Sequence, residues 1–228
     1  MLEDLQMPQL DGIVMVFTII NTKVVATGSI LQLKDVNMKT THIEENIIYI
    51  TDTECPDCPN KVVMSTDVSL YEETCGAKVM ENGGNILEIG FGLGISADKI
   101  QELNPTKHII IEKDPKIYIK ATQWAATKEN VDIIQGDWFD EIHRINEMFD
   151  GIYHDADDDT DDRLSNFTEF VKKNANEGCL LIMTNWGNVY LKSTLPYITL
   201  DQDAKGQEVF KESQTKIAYA TYQNNDWS

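Results

Sequence analysis

The sequence predicts an α/β fold built on a doubly wound, mostly parallel sheet, with a β-rich extension in front of it. Three observations carry that expectation. Strand-like and helix-like periods alternate from residue 85 onward, which is the pattern of βαβ units in a parallel sheet. The stretch Asn85–Ser96 reads Asn-Ile-Leu-Glu-Ile-Gly-Phe-Gly-Leu-Gly-Ile-Ser, a short apolar strand running into a glycine turn and then a helix. Its glycines at 90, 92 and 94 let the backbone turn sharply and bring a ligand against the main chain.

Residues 1–66 form the predicted extension. Ile13–Ile20, Val24–Leu33, Asn46–Thr51 and Lys61–Ser65 are short apolar or alternating runs broken by polar turn segments, so they read as a small sheet or a pair of hairpins. The main domain is expected over 67–228. Leu70, Thr74, Ala77 and Met80 have helical spacing within Asp67–Met80, and Gly83-Gly84 ends that helix. Next come strand Asn85–Ile89, helix Gly94–Leu103, strand His108–Glu112, helix Pro115–Thr127 and strand Val131–Gln135. Helix Asp137–Met148 and strand Phe149–Tyr153 follow. A helix over Asp161–Lys173, capped by Thr160 or Asp161, puts Leu164, Phe167, Phe170 and Val171 on one face. Gly178–Thr184 is the next strand, and Glu208–Lys211 and Lys216–Gln223 are the last two.

The 228 residues, 42% hydrophobic and 25% charged, suffice for one sizeable core plus added structure. A net charge of −19 repels phosphate backbones and argues against nucleic acid as the main partner; cationic or neutral small substrates fit it better. No run reaches the length of a membrane span. The apolar segment Ile13–Ile20 follows an acidic start, so it does not read as a signal peptide and a cytoplasmic setting is expected. Four cysteines are too few for a disulfide scaffold. Cys55 and Cys58 have the spacing of half a zinc site, with Cys75 and His42 nearest to complete it. A hairpin turn with two free thiols is the preferred reading, and no metal is expected. Asp4–Gly12 matches the phosphorylation loop of receiver domains without the residues that must precede it, and is read as coincidence.

In doubly wound sheets ligands bind at the carboxyl ends of the strands. Those ends are Glu88 with the loop Gly90–Ser96, then Glu112-Lys113-Asp114, Gly136-Asp137-Trp138, Tyr153-His154-Asp155-Ala156-Asp157, and Thr184-Asn185-Trp186. An acid ending the second strand is placed to take ribose hydroxyls. A carboxylate beside an indole can accept from an adenine amino group and cover its ring. Of the acidic run Asp155–Asp162, only Asp155 and Asp157 are candidates to face a ligand, the rest suiting solvent and a helix N-terminus. His154 reads as a structural strand residue, and Trp186 equally as packing or pocket wall.

These strand ends resemble those of class I S-adenosylmethionine-dependent methyltransferases. The glycine spacing departs from the Gly-x-Gly-x-x-Gly of nicotinamide enzymes. Within the class, Gly83–Ser96, His108–Asp114, Gly136–Asp140, Phe149–Asp155 and Thr184–Lys192 resemble the blocks of guanidinoacetate methyltransferase-like enzymes, in order. The resemblance implies a Rossmann-like sheet and S-adenosylmethionine as cofactor, with S-adenosylhomocysteine as product. It also implies N-methylation of a small guanidino or amine acceptor.

By that resemblance Glu88, Gly90, Phe91, Gly92, Gly94, Ile95 and Ser96 hold the methionine moiety. Glu112, with Lys113 beside it, holds the ribose, and Asp137 and Trp138 surround the adenine. Asp155 borders the cofactor and grips the acceptor's guanidinium. Thr184 and Asn185 line the acceptor pocket, with Asp67 as a second acceptor-side carboxylate, and Asp155 and Asn185 are the catalytic candidates. The physics agrees, since a carboxylate can take a guanidinium through two parallel hydrogen bonds. Methyl transfer then needs positioning and a base to remove a proton. The chain departs from the family at Ala156, where a hydroxyl residue is usual, and in the surroundings of Asp67. A rival likeness, to metal-dependent catechol-type O-methyltransferases, rests on Asp155-Ala156-Asp157 and Asn185-Trp186, but Thr184 stands where that family has a carboxylate ligand. A non-catalytic cofactor-binding or interaction module is the other alternative. Expected partners are a small-molecule acceptor, no nucleic acid and no membrane, with a homodimer left open.

Overall fold

Strands and helices alternate around one sheet much as the sequence predicts. The computed structural model describes residues 17–20, 23–26, 39–52, 60–156, 161–183, 197–199 and 216–223. The chain divides into two compact units, residues 1–40 with 52–58 and residues 41–51 with 59–228. In the first, β1 (Phe17–Ile20) pairs antiparallel with β2 (Lys23–Ala26), Phe17 opposite Ala26.

Next along the chain is a three-stranded sheet of β3 (Lys39–Ile43), β4 (Ile47–Asp52) and β5 (Lys61–Ser65), in that order. The strand β3 was not expected, because Lys-Thr-Thr-His-Ile carries no apolar run; its β-branched threonines suit a strand, and Thr41 is buried. A 3-10 turn at Thr66–Val68 leads into α1 (Ser69–Val79). Then follow β6 (Asn85–Ile89), α2 (Ile95–Glu102), β7 (Lys107–Glu112), α3 (Pro115–Ala125) and β8 (Val131–Gln135). The helix expected over Asp137–Met148 is only α4 (Trp138–Glu141) plus a 3-10 turn to Arg144. Trp138, Ile142 and Ile145 have helical spacing and are all buried, but this short piece already seats them, and Ile145 is extended. The chain continues through β9 (Phe149–His154), α5 (Asp161–Asn174), β10 (Ala175–Met183), β11 (Tyr197–Thr199) and β12 (Lys216–Thr221). β10 begins before Gly178, which takes a φ of +85° where the register with β9 shifts. The strand expected at 208–211, and the cap at Thr160, lie outside the described residues, as do Cys55, Cys58 and Asp4–Gly12.

The sheet order is β11-β12-β10-β9-β6-β7-β8. β10, β9, β6, β7 and β8 run parallel, and β12 and β11 add antiparallel pairings at one edge. The direction of winding reverses between β6 and β9, so the crevice for a ligand opens there. Both faces of the central strands are covered, which is why they are apolar almost throughout. Leu87, Ile89, Ile109, Ile111, Phe149 and Ile152 pack with α4 and α5 through Trp138, Phe167 and Val171. On the other face Ile86 and Tyr153 meet Cys75, Val79 and Ile100 of α1 and α2. Ile110 packs there with Ala97, Ile117 and Ala121 of α2 and α3. Two glycines seat α1: a Cβ on Gly76 would lie 2.8 Å from the Ser96 carbonyl of α2, and one on Gly151 would lie 2.8 Å from the Ile86 side chain and closer still to the Val79 carbonyl.

Candidate functional site

At the end of β6 the hydrogen bonding forks. The Asp155 amide donates to Ile89 O (2.8 Å), while Gly90 N donates to Ile111 O on the other side (2.9 Å). The loop that leaves this fork has φ of +92° at Gly90, +52° at Gly92 and +86° at Gly94, values that side-chain-bearing residues rarely adopt. Space is as limiting as conformation. A Cβ on Gly90 would lie 2.5 Å from the Asp155 carbonyl oxygen, and one on Gly94 would lie 2.6 Å from the Phe91 ring. Gly94 is the N-cap of α2, with Ile95 and Ser96 in its first turn.

Glu112, ending β7, is 5% exposed. Its Oε2 accepts from Phe91 N (2.9 Å) and its Oε1 from Asp114 N (2.7 Å). Burial raises its pKa, and the Phe91, Asp114 and Gly92 amides pull it partly back. Lys113 is exposed. Asp114 caps α3 through Lys116 N (2.8 Å) and Ile117 N (3.2 Å), and its other oxygen accepts from Thr41 Oγ1. Lys120 Nζ donates to Leu93 O at 2.8 Å and so fixes the glycine loop from α3; burial lowers its pKa. Leu93 N donates to Met64 Sδ at 3.0 Å.

Glu88 is fully buried: its Oε1 accepts from Ser96 Oγ, and its Oε2 lies 2.9 Å from His108 Nε2, bent away from hydrogen-bond alignment. That carboxylate ties β6 to α2 and β7 and turns no oxygen to the surface. Asp137 caps α4 through Phe139 N (3.0 Å), and the same Oδ1 accepts from Arg163 Nη2. The Arg163 guanidinium stacks over Trp138 (4.8 Å) and Phe139 (5.0 Å). Trp138 is therefore not an open indole: it is 2% exposed, edge-on to His154 and Phe167, and its Nε1 has no hydrogen-bond partner among the described residues. His154 is buried in this packing, as a structural strand residue would be.

Asp155 stands half-buried at the fork. Its charge is felt by Tyr71, Glu72 and Cys75 on α1 and by Tyr153. Tyr153 donates from its hydroxyl to Glu72 Oε2 at 2.8 Å, with Tyr153 fully buried and Glu72 5% exposed. Burial, then Asp155, pushes Glu72 well above the usual carboxylate range, against the opposing hydrogen bonds from Tyr153 and Ser96. The same burial pushes the Cys75 thiol up, which makes it a poor nucleophile. Sequence reading missed Glu72, Lys120 and Arg163. For Glu72 a signal existed: it shares the buried stripe 72, 75, 76, 79 of α1, where an acid is out of place.

Of the residues singled out from sequence, the fold gathers the glycine loop, Glu112 and Asp155 around the β6 end. Asp67 lies exposed in the 3-10 turn, accepting from Ser65 Oγ at 3.2 Å. Thr184, Asn185 and Asp157 lie outside the described residues. No group of three His, Cys, Asp or Glu that could hold a metal occurs among the described residues. No helix among them is long and apolar enough to cross a membrane.

Comparison with known proteins agrees with this geometry. The fold matches a Streptococcus mutans protein assigned to the SAM-dependent methyltransferases, with a TM-score of 0.53 and 12% identity, covering 85% of this chain and 58% of that one. Protein arginine N-methyltransferase 2 of Candida glabrata is 43% identical over 77 residues, 31% of this chain and 18% of the relative. The protein of the same name from Debaryomyces hansenii is 34% identical over 114 residues, 44% of this chain and 26% of the relative. The chain thus spans well under a third of the length of these two curated relatives. The model of the family guanidinoacetate N-methyltransferase matches residues 48–226, more than half of the chain. The chain therefore belongs to the guanidinoacetate N-methyltransferase family, whose cofactor is S-adenosylmethionine.

Proposed function

We propose that this chain methylates a guanidino nitrogen, with Asp155 gripping the acceptor. The observation that carries the proposal is the seat of Asp155, the first residue after β9, beside the glycine loop at the reversal of the sheet. Both sets of names found for its relatives, guanidinoacetate and protein arginine methyltransferases, denote acceptors that carry a guanidine.

The residues at the strand ends fit the cofactor: a backbone cradle with no room for a Cβ at Gly90, and a buried acid at the end of β7. The loop Gly90–Ser96, resting on Glu88, is assigned to the methionine moiety. Glu112 is assigned to the ribose with Lys113 at its rim, and Asp137, held by Arg163, to the adenine, while the covered Trp138 ring supports that end of the site from the core and is not itself assigned to the adenine face. When bound, S-adenosylmethionine supplies a methyl group on a positively charged sulfur. Asp155 orients the acceptor through two parallel hydrogen bonds, and Thr184, Asn185 and Asp67 complete the acceptor side. Most of the catalytic work is alignment. The −19 net charge favours the approach of a cation.

The test is transfer of a labelled methyl group to guanidinoacetate and to an arginine-containing peptide. Label in either acceptor, lost in Asp155→Asn, supports the proposal. Label in the peptide alone makes an arginyl side chain the acceptor, a reading favoured by the curated relatives. Label in neither sinks the guanidino reading.

A further inference from the structure

We propose that Lys120 is a positioning residue for the cofactor: by holding the Leu93 carbonyl from α3, it sets the direction of the peptide between Leu93 and Gly94 and thereby the grip on the ligand's amino-acid half. This rests on the assignment of the loop Gly90–Ser96 to the methionine moiety above.

The hold follows from the face that α3 turns to the loop. Ile117 and Ala121 pack on Ile110 of the sheet, and Asp114 at the N-cap fixes where α3 starts. Lys120 and Trp124, four residues apart, share one side of the helix, and both reach toward α2. The Trp124 ring packs on Phe91, with centroids 5.3 Å apart, and its Nε1 donates to Asp98 Oδ1 in the first turn of α2 at 2.6 Å. Lys120 Nζ lies 5.9 Å from the centre of the same Phe91 ring and donates to Leu93 O at 2.8 Å. Asp98 is the acid whose charge bears on Lys120, yet Asp98 takes the indole and Lys120 takes a backbone carbonyl. The half-buried ammonium is thus committed to the loop.

Leu93 is where that commitment matters. The loop is pinned at Phe91 N by Glu112 Oε2 (2.9 Å) and at Leu93 N by Met64 Sδ (3.0 Å). The next peptide is planar, and its carbonyl and amide point opposite ways. The carbonyl meets Lys120, and the Gly94 amide donates to Phe91 O at 2.8 Å. Turning this peptide over would reverse the sign of φ at Gly94, now +86°, and a glycine accepts either sign. Glycine therefore lends no preference to the observed direction, whereas a charge-assisted hydrogen bond does. Gly94 is also the N-cap of α2, so the entry of Ile95 and Ser96 follows the same peptide. With Lys120 in place the loop is shaped before the ligand arrives, and the ordering cost at binding is small. The adenine and ribose are assigned to other strand ends and do not draw on this peptide.

The experiment compares two ligands by calorimetry on the full chain: S-adenosylhomocysteine, and 5′-methylthioadenosine, which lacks the amino-acid part. Lys120→Met is expected to weaken S-adenosylhomocysteine roughly tenfold and to leave methylthioadenosine unchanged. Lys120→Arg, which keeps charge and donor, is expected to restore most of the loss. A purely structural role for Lys120 would weaken both ligands alike, and that result overturns the inference. Unchanged S-adenosylhomocysteine affinity in Lys120→Met also overturns it; the loop assignment survives if Gly90→Ala still weakens the ligand and falls with it if Gly90→Ala does not. Where Lys120→Met does not fold, Lys120→Gln, which likewise brings no charge to the carbonyl, is read with the same two ligands and the same outcomes.

Discussion

Gly90 packs against the backbone of Asp155, so that a Cβ at position 90 would stand 2.5 Å from the Asp155 carbonyl oxygen. The loop assigned to the cofactor and the residue assigned to the acceptor are thus spaced by a single missing methyl group. Gly90→Ala is expected to lose about 1–3 kcal/mol of stability, from its φ of +92° and the clash together. It should also weaken S-adenosylhomocysteine binding. Chemical unfolding and calorimetry check both, and an unchanged affinity would place the cofactor away from this loop.

Asp155→Asn keeps the shape of the side chain and removes its charge. Transfer to the guanidino acceptor is expected to fall by roughly a hundredfold or more, while S-adenosylhomocysteine still binds. Loss of both would mean that Asp155 serves the cofactor side instead.

Arg163 joins α5 to the start of α4 through Asp137 and the Trp138 and Phe139 rings. The pair is partly exposed, with side-chain accessibilities of 19% and 30%, so its electrostatic share is small. Arg163→Ala is expected to cost about 1–2 kcal/mol from ion pair and stacking together. Arg163→Lys should recover only part, because the planar fork is lost. Urea unfolding at low and high salt measures the share that screening removes.

Gly76 sets the clearance between α1 and α2. Alanine gains roughly 1 kcal/mol in helix propensity, yet its methyl meets the Ser96 carbonyl and forces the helices apart at about 1–3 kcal/mol. Gly76→Ala is therefore expected to be neutral or destabilising, and Gly76→Val clearly destabilising, by thermal unfolding. A stabilised Gly76→Val would refute the close crossing.

Glu72 also links stability to pH. Its pKa is raised in the folded chain and ordinary in the unfolded one, so folding takes up a proton. Its favourable share is whole below the unfolded value and is lost as pH climbs toward the folded one. Glu72→Gln escapes this loss. Its stability relative to wild type is expected to grow by roughly 1.4 kcal/mol per pH unit above the ordinary glutamate value. Urea unfolding at pH 5, 6 and 7 checks it; a constant difference would mean that Glu72 is ionised in the folded protein.

The sheet was legible because its signals are local. Asn85–Ile89, Pro115 after its Asp114 cap and the glycines at 90, 92 and 94 announce themselves within a few residues of chain. What stayed hidden depends on distant partners. Glu72 stands out only as an acid on the apolar stripe of α1, and its partner Tyr153, 81 residues away, is visible only once the fold brings it there. Trp138 reads as a free ring until Arg163 covers it. The short α4 was overestimated because Ile142 and Ile145 continue a helical spacing that a single turn satisfies.

The two glycines that lower α1 onto the sheet have a consequence for retargeting the enzyme. Glu72 rides on a packed helix, whereas Asp67 sits in an exposed turn outside it. Exchanging peripheral segments to change which guanidine is admitted would leave the buried Glu72–Tyr153 contact in place, so the acceptor side can be redesigned without disturbing the seat of α1 on the sheet.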